Sequence, residues 1–199
     1  MSEFKPFIVG LGGTTRPGSS TERALGFALA AAEAAGAEVE LIAGPALILP
    51  MYSPETPERT PEAQRIVAAL SRAHGVIIAS PGYHGSLSGL IKNALDYVED
   101  MRGDAAPYLD GRAVGLIACA SGWQATGTTL VALRSIAHAL RGWPTPLGVG
   151  VNTVGGLLDA AGAIADPATA AQLTLLGQQV VEFSRHRDAF LSGKAGVAV

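Results

Sequence analysis

The segment Gly12-Gly13-Thr14-Thr15-Arg16-Pro17-Gly18-Ser19-Ser20-Thr21 concentrates small hydroxyl residues and one cation just ahead of an alanine-rich, helix-favouring stretch. A helix start leaves backbone N–H groups unpaired and carries the positive end of the helix dipole. Thr14, Ser19, Ser20 and Thr21 add hydroxyl donors to that end, and Arg16 can fork onto phosphate oxygens. The same residues also fit a plain capped turn in which Ser19 or Ser20 is the N-cap and nothing more. The loop lacks the terminal Gly-Lys-Ser/Thr of nucleoside-triphosphate loops and the three-glycine spacing of dinucleotide folds. A phosphate monoester gripped by hydroxyls and backbone is the ligand chemistry that remains.

Two further loops carry residues suited to a ligand. Ser80-Pro81-Gly82-Tyr83-His84-Gly85 follows an apolar run, and its glycines let backbone pass close to a ligand and offer it N–H donors. His84 is a candidate general acid, although a loop histidine more often serves only as a hydrogen-bonding group. Ala120-Ser121-Gly122-Trp123-Gln124-Ala125-Thr126-Gly127 follows another apolar run, and Trp123 there suits either ring stacking or a subunit contact. Cys119, at the end of that run, reads as a small hydrophobe rather than a redox group. The scattered histidines and single cysteine offer no metal-ligand spacing, and no Gly-x-Ser-x-Gly elbow is present for Ser/His/Asp hydrolysis.

The elements that must position these loops are read from apolar patterning. Phe7–Leu11, Val39–Ile42, Gly75–Ala79, Ala113–Cys119 and Thr145–Val151 predict strands, the last interrupted by proline and glycine. Helices are expected over Thr21–Ala35, Pro61–Ala73, Leu87–Val98, Thr126–Leu140 and Pro167–Phe190, with a small-residue tail fraying over 190–199. Residues 43–60 hold too many prolines for a regular element and read as a long functional or contact loop. The charged stretch 182–188 reads as a solvated helix face. Five nearly all-apolar strands alternating with helices specify a parallel sheet covered on both faces, a doubly wound α/β/α sandwich. Ligands of such sheets sit at the carboxyl ends of the strands, which singles out the loops after strands one, three and four.

The segment from Ser80 continues Ser86-Leu87-Ser88-Gly89-Leu90-Ile91-Lys92-Asn93-Ala94-Leu95-Asp96-Tyr97. It resembles the Pro-x-Tyr-Asn-Gly-Ser-x-x-Gly-x-Leu-Lys-Asn-Ala-Leu-Asp-Trp signature of the NADPH-dependent FMN reductase family. Gly13, Thr14, Arg16 and Ser19 match that family's Gly-Ser-x-Arg-x-x-Ser phosphate loop, and the element order agrees over roughly residues 4–190. The resemblance implies a flavodoxin-like sheet of order 2-1-3-4-5, noncovalent FMN, and hydride transfer from NADPH or NADH to the flavin. It implies that Thr14, Arg16, Ser19, Ser20 and Thr21 hold the phosphate and that Pro81, Gly82, Tyr83, His84 and Gly85 run along the isoalloxazine. Ser121 and Gly122 would approach its pyrimidine end, while Asn93 and Asp96 would be structural, fixing the loop and a dimer-facing helix. The resemblance requires no side-chain acid or base, because the cofactors supply the chemistry. The chain departs from the pattern at Gly82, where relatives often carry an acidic residue, at His84 in place of Asn, and at Ile91 in place of Leu.

Three functions compete on these residues. The leading expectation is an FMN reductase supplying reduced flavin to a flavin-dependent monooxygenase, because the run from Thr14 to Leu25 is similar to reductase components of such systems. The Gly82-Tyr83-His84-Gly85 loop is nearer to quinone, azo or chromate reductases that keep FMN bound. A flavodoxin-like electron carrier is third, since such carriers tend to be strongly acidic and the net charge here is only −3. At 199 residues, 48% hydrophobic and 16% charged, the chain should form one domain over 1–199. No apolar run reaches the roughly 20 residues of a membrane helix, and charge of one sign is not blocked as a nucleic-acid footprint would need. Met1–Pro6 lacks the pattern of a signal peptide, so a cytoplasmic location is expected. The resemblance further implies a homodimer or homotetramer, with Met51, Tyr52, Tyr97, Met101, Tyr108 and Trp123 as exposed contact residues and the 87–101 helix as the seam.

Overall fold

The computed structural model describes residues 4–195. Strands β1 (Phe7–Gly12), β2 (Glu38–Ile42), β3 (Gly75–Tyr83), β5 (Ala113–Ala120) and β6 (Trp143–Asn152) run parallel in the order β2-β1-β3-β5-β6. A short β4 (Ser86–Leu87) folds back antiparallel on the end of β3. Apart from this hairpin the topology is the expected 2-1-3-4-5. Helices α1 (Ser20–Ala34) and α5 (Pro167–Ala195) cover one face; α2 (Pro61–Arg72), α3 (Gly89–Asp96) and α4 (Trp123–Ala139) cover the other. The alternation along β1 feeds both layers: Ile8 packs with Leu25, Ala28, Leu176 and Val180, whereas Val9 and Leu11 pack with Ile66, Leu70, Ile91 and Leu95. Because β1 lies between β2 and β3, successive connections leave it in opposite directions and open a crevice at its carboxyl end.

Several element ends differ from the sequence reading. β3 runs four residues past Ala79, through Ser80, Pro81 and Gly82. The ladder to β1 stops at the Gly12–Ala79 pair while that to β5 continues to Pro81–Cys119, so only one flank is occupied and proline is tolerated. α4 starts at Trp123, three residues before the expected Thr126. The third helix is α-helical only over Gly89–Asp96 and tightens into a 3₁₀ turn over Tyr97–Met101. The final helix continues to Ala195 instead of ending at Phe190; the rest of the expected frayed tail, 196–199, lies outside the described residues, as do 1–3 of the N-terminal segment. No helix among the described residues is long and apolar enough to cross a membrane.

The 43–60 segment holds a single 3₁₀ turn, Gly44–Leu47, and is otherwise an anchored strap. Asn93, buried on α3, accepts from the Tyr52 N–H at 2.8 Å and donates to the Leu49 and Pro50 carbonyls at 3.3 and 2.8 Å. Tyr97 donates its hydroxyl to the same Pro50 carbonyl, and Arg59 forks onto Asp100 at 2.7 and 3.0 Å while lying over the rings of Tyr52 and Tyr97. Asp96 does not share in this; it pairs with Lys92 one turn away. Tyr97 and Met101, expected at an exposed seam, are buried, because the tighter 3₁₀ turn swings them inward with Val98. The apolar stripe of α3 is therefore consumed by the chain's own core. Met51 and Trp123 do stand largely exposed, and Tyr52 and Tyr108 are half-buried.

Replacing Asn93 strands the Tyr52 N–H and the Leu49 carbonyl at once and leaves the Pro50 carbonyl to Tyr97 alone. Asn93→Ala should lower unfolding stability by about 2–4 kcal/mol in urea titration, with the 48–60 strap becoming the first site of proteolysis. A loss within about 0.5 kcal/mol would mean the strap is held by Arg59 and Tyr97 alone.

Candidate functional site

At the carboxyl end of the sheet the loops after β1, β3 and β5 enclose an open cavity of about 420 Å³. Its first wall is the start of α1. Gly13 at φ 121° and Gly18 at φ 68° turn the chain through conformations open chiefly to glycine. Ser19 is the N-cap of α1, its Oγ accepting from the Glu22 N–H at 3.2 Å, and Glu22 reaches back to the Gly18 N–H at 3.0 Å. Thr14 Oγ1 accepts from the Arg16 N–H at 3.1 Å and fixes the turn. The capped-turn reading is thus literally true of Ser19, yet its hydroxyl proton, the Arg16 guanidinium and the first-turn N–H groups remain open to the cavity. Thr14, Arg16, Ser19, Ser20 and Thr21 all line it.

The second wall is the extension of β3, contributed by Pro81, Gly82 and Tyr83. A Cβ at residue 82 would lie 2.7 Å from Thr129 Oγ1 and 3.2 Å from both Ala120 Cβ and the Ala125 carbonyl oxygen. The glycine is therefore required by the approach of α4, not by the approach of a ring, and the acidic residue of relatives has no room here. His84 at φ 50° and Gly85 at φ 90° form a two-residue turn with both residues left-handed, joining the Tyr83–Ser86 pair. Asparagine and histidine both tolerate that conformation better than most residues, which accounts for the exchange at position 84. Neither His84 nor Gly85 lines the cavity; they form the tip of the hairpin.

Ser121 and Gly122 complete the third wall. Gly122 is the N-cap of the 17-residue α4 and offers no side-chain cap, so this helix also presents bare N–H groups at the cavity. The structure adds four residues that sequence chemistry did not single out: Cys119, Ala120, Ala125 and Thr153. Burial pushes the Cys119 thiol up to about 12, a hydroxyl bond from Thr21 opposing that only in part, so it stays protonated and inert. Nothing in the described residues groups three metal-ligating side chains.

With the geometry in place, the relatives can be compared. The profile of the NADPH-dependent FMN reductase family matches residues 6–154, which takes in all three walls of the cavity. The chain belongs to the NADPH-dependent FMN reductase family. Members of that family use FMN, with a reduced nicotinamide as electron donor. Among solved structures, the NAD(P)H:(acceptor) oxidoreductase FerB of Paracoccus denitrificans superimposes with a TM-score of 0.76 at 18% identity, over 92% of this chain and 98% of that one. An apo NADH:FMN oxidoreductase gives 0.67 at 20% identity over 92% and 89% of the two chains. A flavodoxin from an archaeon gives 0.61 at 11% over 92% and 100%. These likenesses establish the flavodoxin-like fold. A curated relative, an NADPH azoreductase of Bacillus sp. (strain OY1-2), is 39% identical over 51 residues, 25% of this chain and 29% of that enzyme.

Gly82→Ala should cost about 1–3 kcal/mol of stability, because α4 and the hairpin must part. Gly127→Ala, inside α4 with nothing within 4 Å of its missing Cβ, should instead stabilise by up to about 1 kcal/mol. Denaturant unfolding of the two variants separates them; equal effects would mean that the contact at Gly82 is not tight.

Proposed function

We propose that the protein is an FMN-dependent NAD(P)H oxidoreductase whose cavity between α1, β3 and α4 holds the flavin. The observation that carries this reading is the convergence of two helix N-termini, one bearing Arg16 and the Ser19 to Thr21 hydroxyls, on a groove walled by Pro81–Tyr83. The donor set fits FMN: a dianionic monoester suits the hydroxyl-rich end, and no carboxylate lines the cavity to oppose it. The size also fits, since cofactor pockets span roughly 300–1,000 Å³. Bound there, FMN would accept the hydride of a reduced nicotinamide and pass the electrons on.

The residues of the chain bind and orient. The Arg16 guanidinium has no ion-pair or hydrogen-bond partner among the described residues, the bonds of Arg16 to Thr14 being made by its backbone, and it is free to fork onto phosphate. Ser19 and Thr21, both buried, hold their hydroxyls rigidly at the head of α1. The N–H groups of Gly122 and the first turn of α4 would favour partial negative charge on the part of the flavin ring held beside them, which would ease its reduction. Among the described residues, the titratable side chains that line the cavity are Arg16, Tyr83 and Cys119. His84, at the hairpin tip, is not placed to donate a proton there.

Within this class we favour an FMN reductase whose flavin exchanges with solvent. The grip on the phosphate rests on one cation at an exposed turn, because the Gly18 N–H is already taken by Glu22. Such a reductase would serve a flavin-dependent monooxygenase. A second reading, reduction of azo or quinone acceptors on retained FMN, is supported by the short azoreductase match and by the exposed Tyr83 ring in the cavity wall.

The test is NAD(P)H oxidation by the purified protein with and without added FMN. Saturable dependence on FMN supports the exchanging reductase, a retained yellow chromophore bleached by NAD(P)H supports the second reading, and no oxidation in either condition contradicts both. Arg16→Ala should raise the FMN dissociation constant about tenfold to a hundredfold, with unfolding stability unchanged because Arg16 holds nothing else.

A further inference from the structure

A cavity of about 400 Å³ opens at the far end of the molecule, between the edge strand β6 and α5. Trp143 begins β6 and lines this groove, whereas Thr153, just past the end of the same ten-residue strand, lines the carboxyl-edge cavity, so the two lie about 30 Å apart. An irregularity in β6 shapes the groove. Pro144 pairs with Val114 but Gly148 pairs with Leu116, and the two surplus residues form a bulge that Arg134 of α4 holds, donating to the Thr145 and Pro146 carbonyls at 3.4 and 3.1 Å. Opposite the bulge, Gln179, Glu182, Phe183 and His186 recur at helical spacing on one face of α5 and make the other wall.

The chemistry of the walls is specific. Trp143 is 60% exposed and its ring lies 5.8 Å from that of Phe183 at 37°, which gives the groove an aromatic side. Gln179 Oε1 is buried and meets no hydrogen-bond donor among the described residues. A buried acceptor without a donor is costly, so the groove gains from a ligand that brings one. Glu182 is the one lining residue with a fixed charge; His186, a turn further on, is the other titratable group, and neither lysine nor arginine lines the groove. That balance favours a cation, which the face of the Trp143 ring also attracts. A strand from another chain is a poor occupant, because Pro144 and Pro146 remove two N–H groups from this stretch of the edge.

We propose that the β6–α5 groove binds an aromatic ammonium, a flat ring carrying a protonated amine. The ring lies against Trp143 and Phe183, an N–H of the ammonium donates to Gln179 Oε1, and Glu182 supplies the opposite charge at the rim. The site is separate from the carboxyl-edge cavity and does not depend on the reading of that cavity as the FMN site. It discriminates by charge. An aromatic carboxylate of the same size meets Glu182 and has no donor for Gln179, and FMN with its phosphate dianion is disfavoured there for the same reason.

The experiment titrates the ¹⁵N-labelled protein with 1-naphthylmethylammonium and, separately, with 1-naphthylacetate, which shares the ring and carries the opposite charge. The chain has two tryptophans, so two indole ¹H–¹⁵N signals report on Trp143 in the groove and on Trp123 at the other end of the sheet. The expected result is a shift of the Trp143 signal by the ammonium with a Kd of about 1 mM or tighter, a still Trp123 signal, and at least about tenfold weaker binding of naphthylacetate. Glu182→Gln, at an exposed position, should keep the fold and bring the two probes within about threefold of each other. Gln179→Leu should weaken the ammonium about fivefold. No shift of Trp143 at about 10 mM ammonium, a shift of Trp123 alone, equal affinity for the two probes, or a Glu182→Gln protein that still separates them about tenfold overturns the proposal. So does a Trp143→Ala variant that sediments as a smaller particle than the parent, because the groove would then be a contact between copies.

Discussion

At Gly12 an added methyl group would lie 2.3 Å from the Ala79 carbonyl oxygen, and at Gly82 2.7 Å from Thr129 Oγ1. These two contacts set how closely β1, β3 and α4 approach at the carboxyl edge, and the geometry of the cavity follows from them. The Gly12 contact ends the β1 ladder where α1 must begin its turn. That turn then delivers Ser19 to Thr21 onto the crevice. The Gly82 contact lets β3 outrun β1 by several residues and lie against α4, which turns what would be an ordinary loop into a rigid wall. Side chains at either position would part the layers and leave the same donors facing nothing in common.

Electrostatics is arranged with equal economy. α1 and α4 point their N-termini into one cavity, so two helix dipoles and a single guanidinium favour negative charge there without any buried ion pair. Desolvation penalties stay small because Arg16 remains at the surface. The only ionisable group held under the cavity floor, Cys119, is kept neutral by burial and by its place in the apolar strand. Reaction chemistry is left to the cofactors, and the chain contributes shape and hydrogen-bond donors.

The layered fold was legible because β1, the Gly75–Ala79 part of β3 and β5 are continuous apolar runs, the pattern a parallel sheet buried on both faces demands. The turn that walls the cavity at the head of α1 was legible too, since glycines, hydroxyls and an arginine stand directly before a helix-favouring stretch. Other features were hidden for physical reasons. Ser80-Pro81-Gly82 reads as a stop, and only the one-sided pairing beyond Ala79 lets a strand pass through it. The turn residues His84 and Gly85 look like ligand contacts because a left-handed turn and a ring-hugging loop favour the same small or polar residues. Tyr97 and Met101 stand at a helix end where a monomer would expose them, and the 3₁₀ turn over Tyr97–Met101 buries both. Ala120, Ala125 and Thr153 carry no chemical signal at all; tertiary structure alone brings them to the cavity.

The central claim is that FMN lies across the three loops at the carboxyl edge of the sheet. Hydrogen exchange with and without FMN tests it most directly, because a bound ligand slows opening of the backbone it touches. The account predicts protection confined to residues 13–22, 80–87 and 120–126, with the β6–α5 groove around Trp143 and Phe183 unaffected. Protection centred on that groove, or none at saturating FMN, would contradict it.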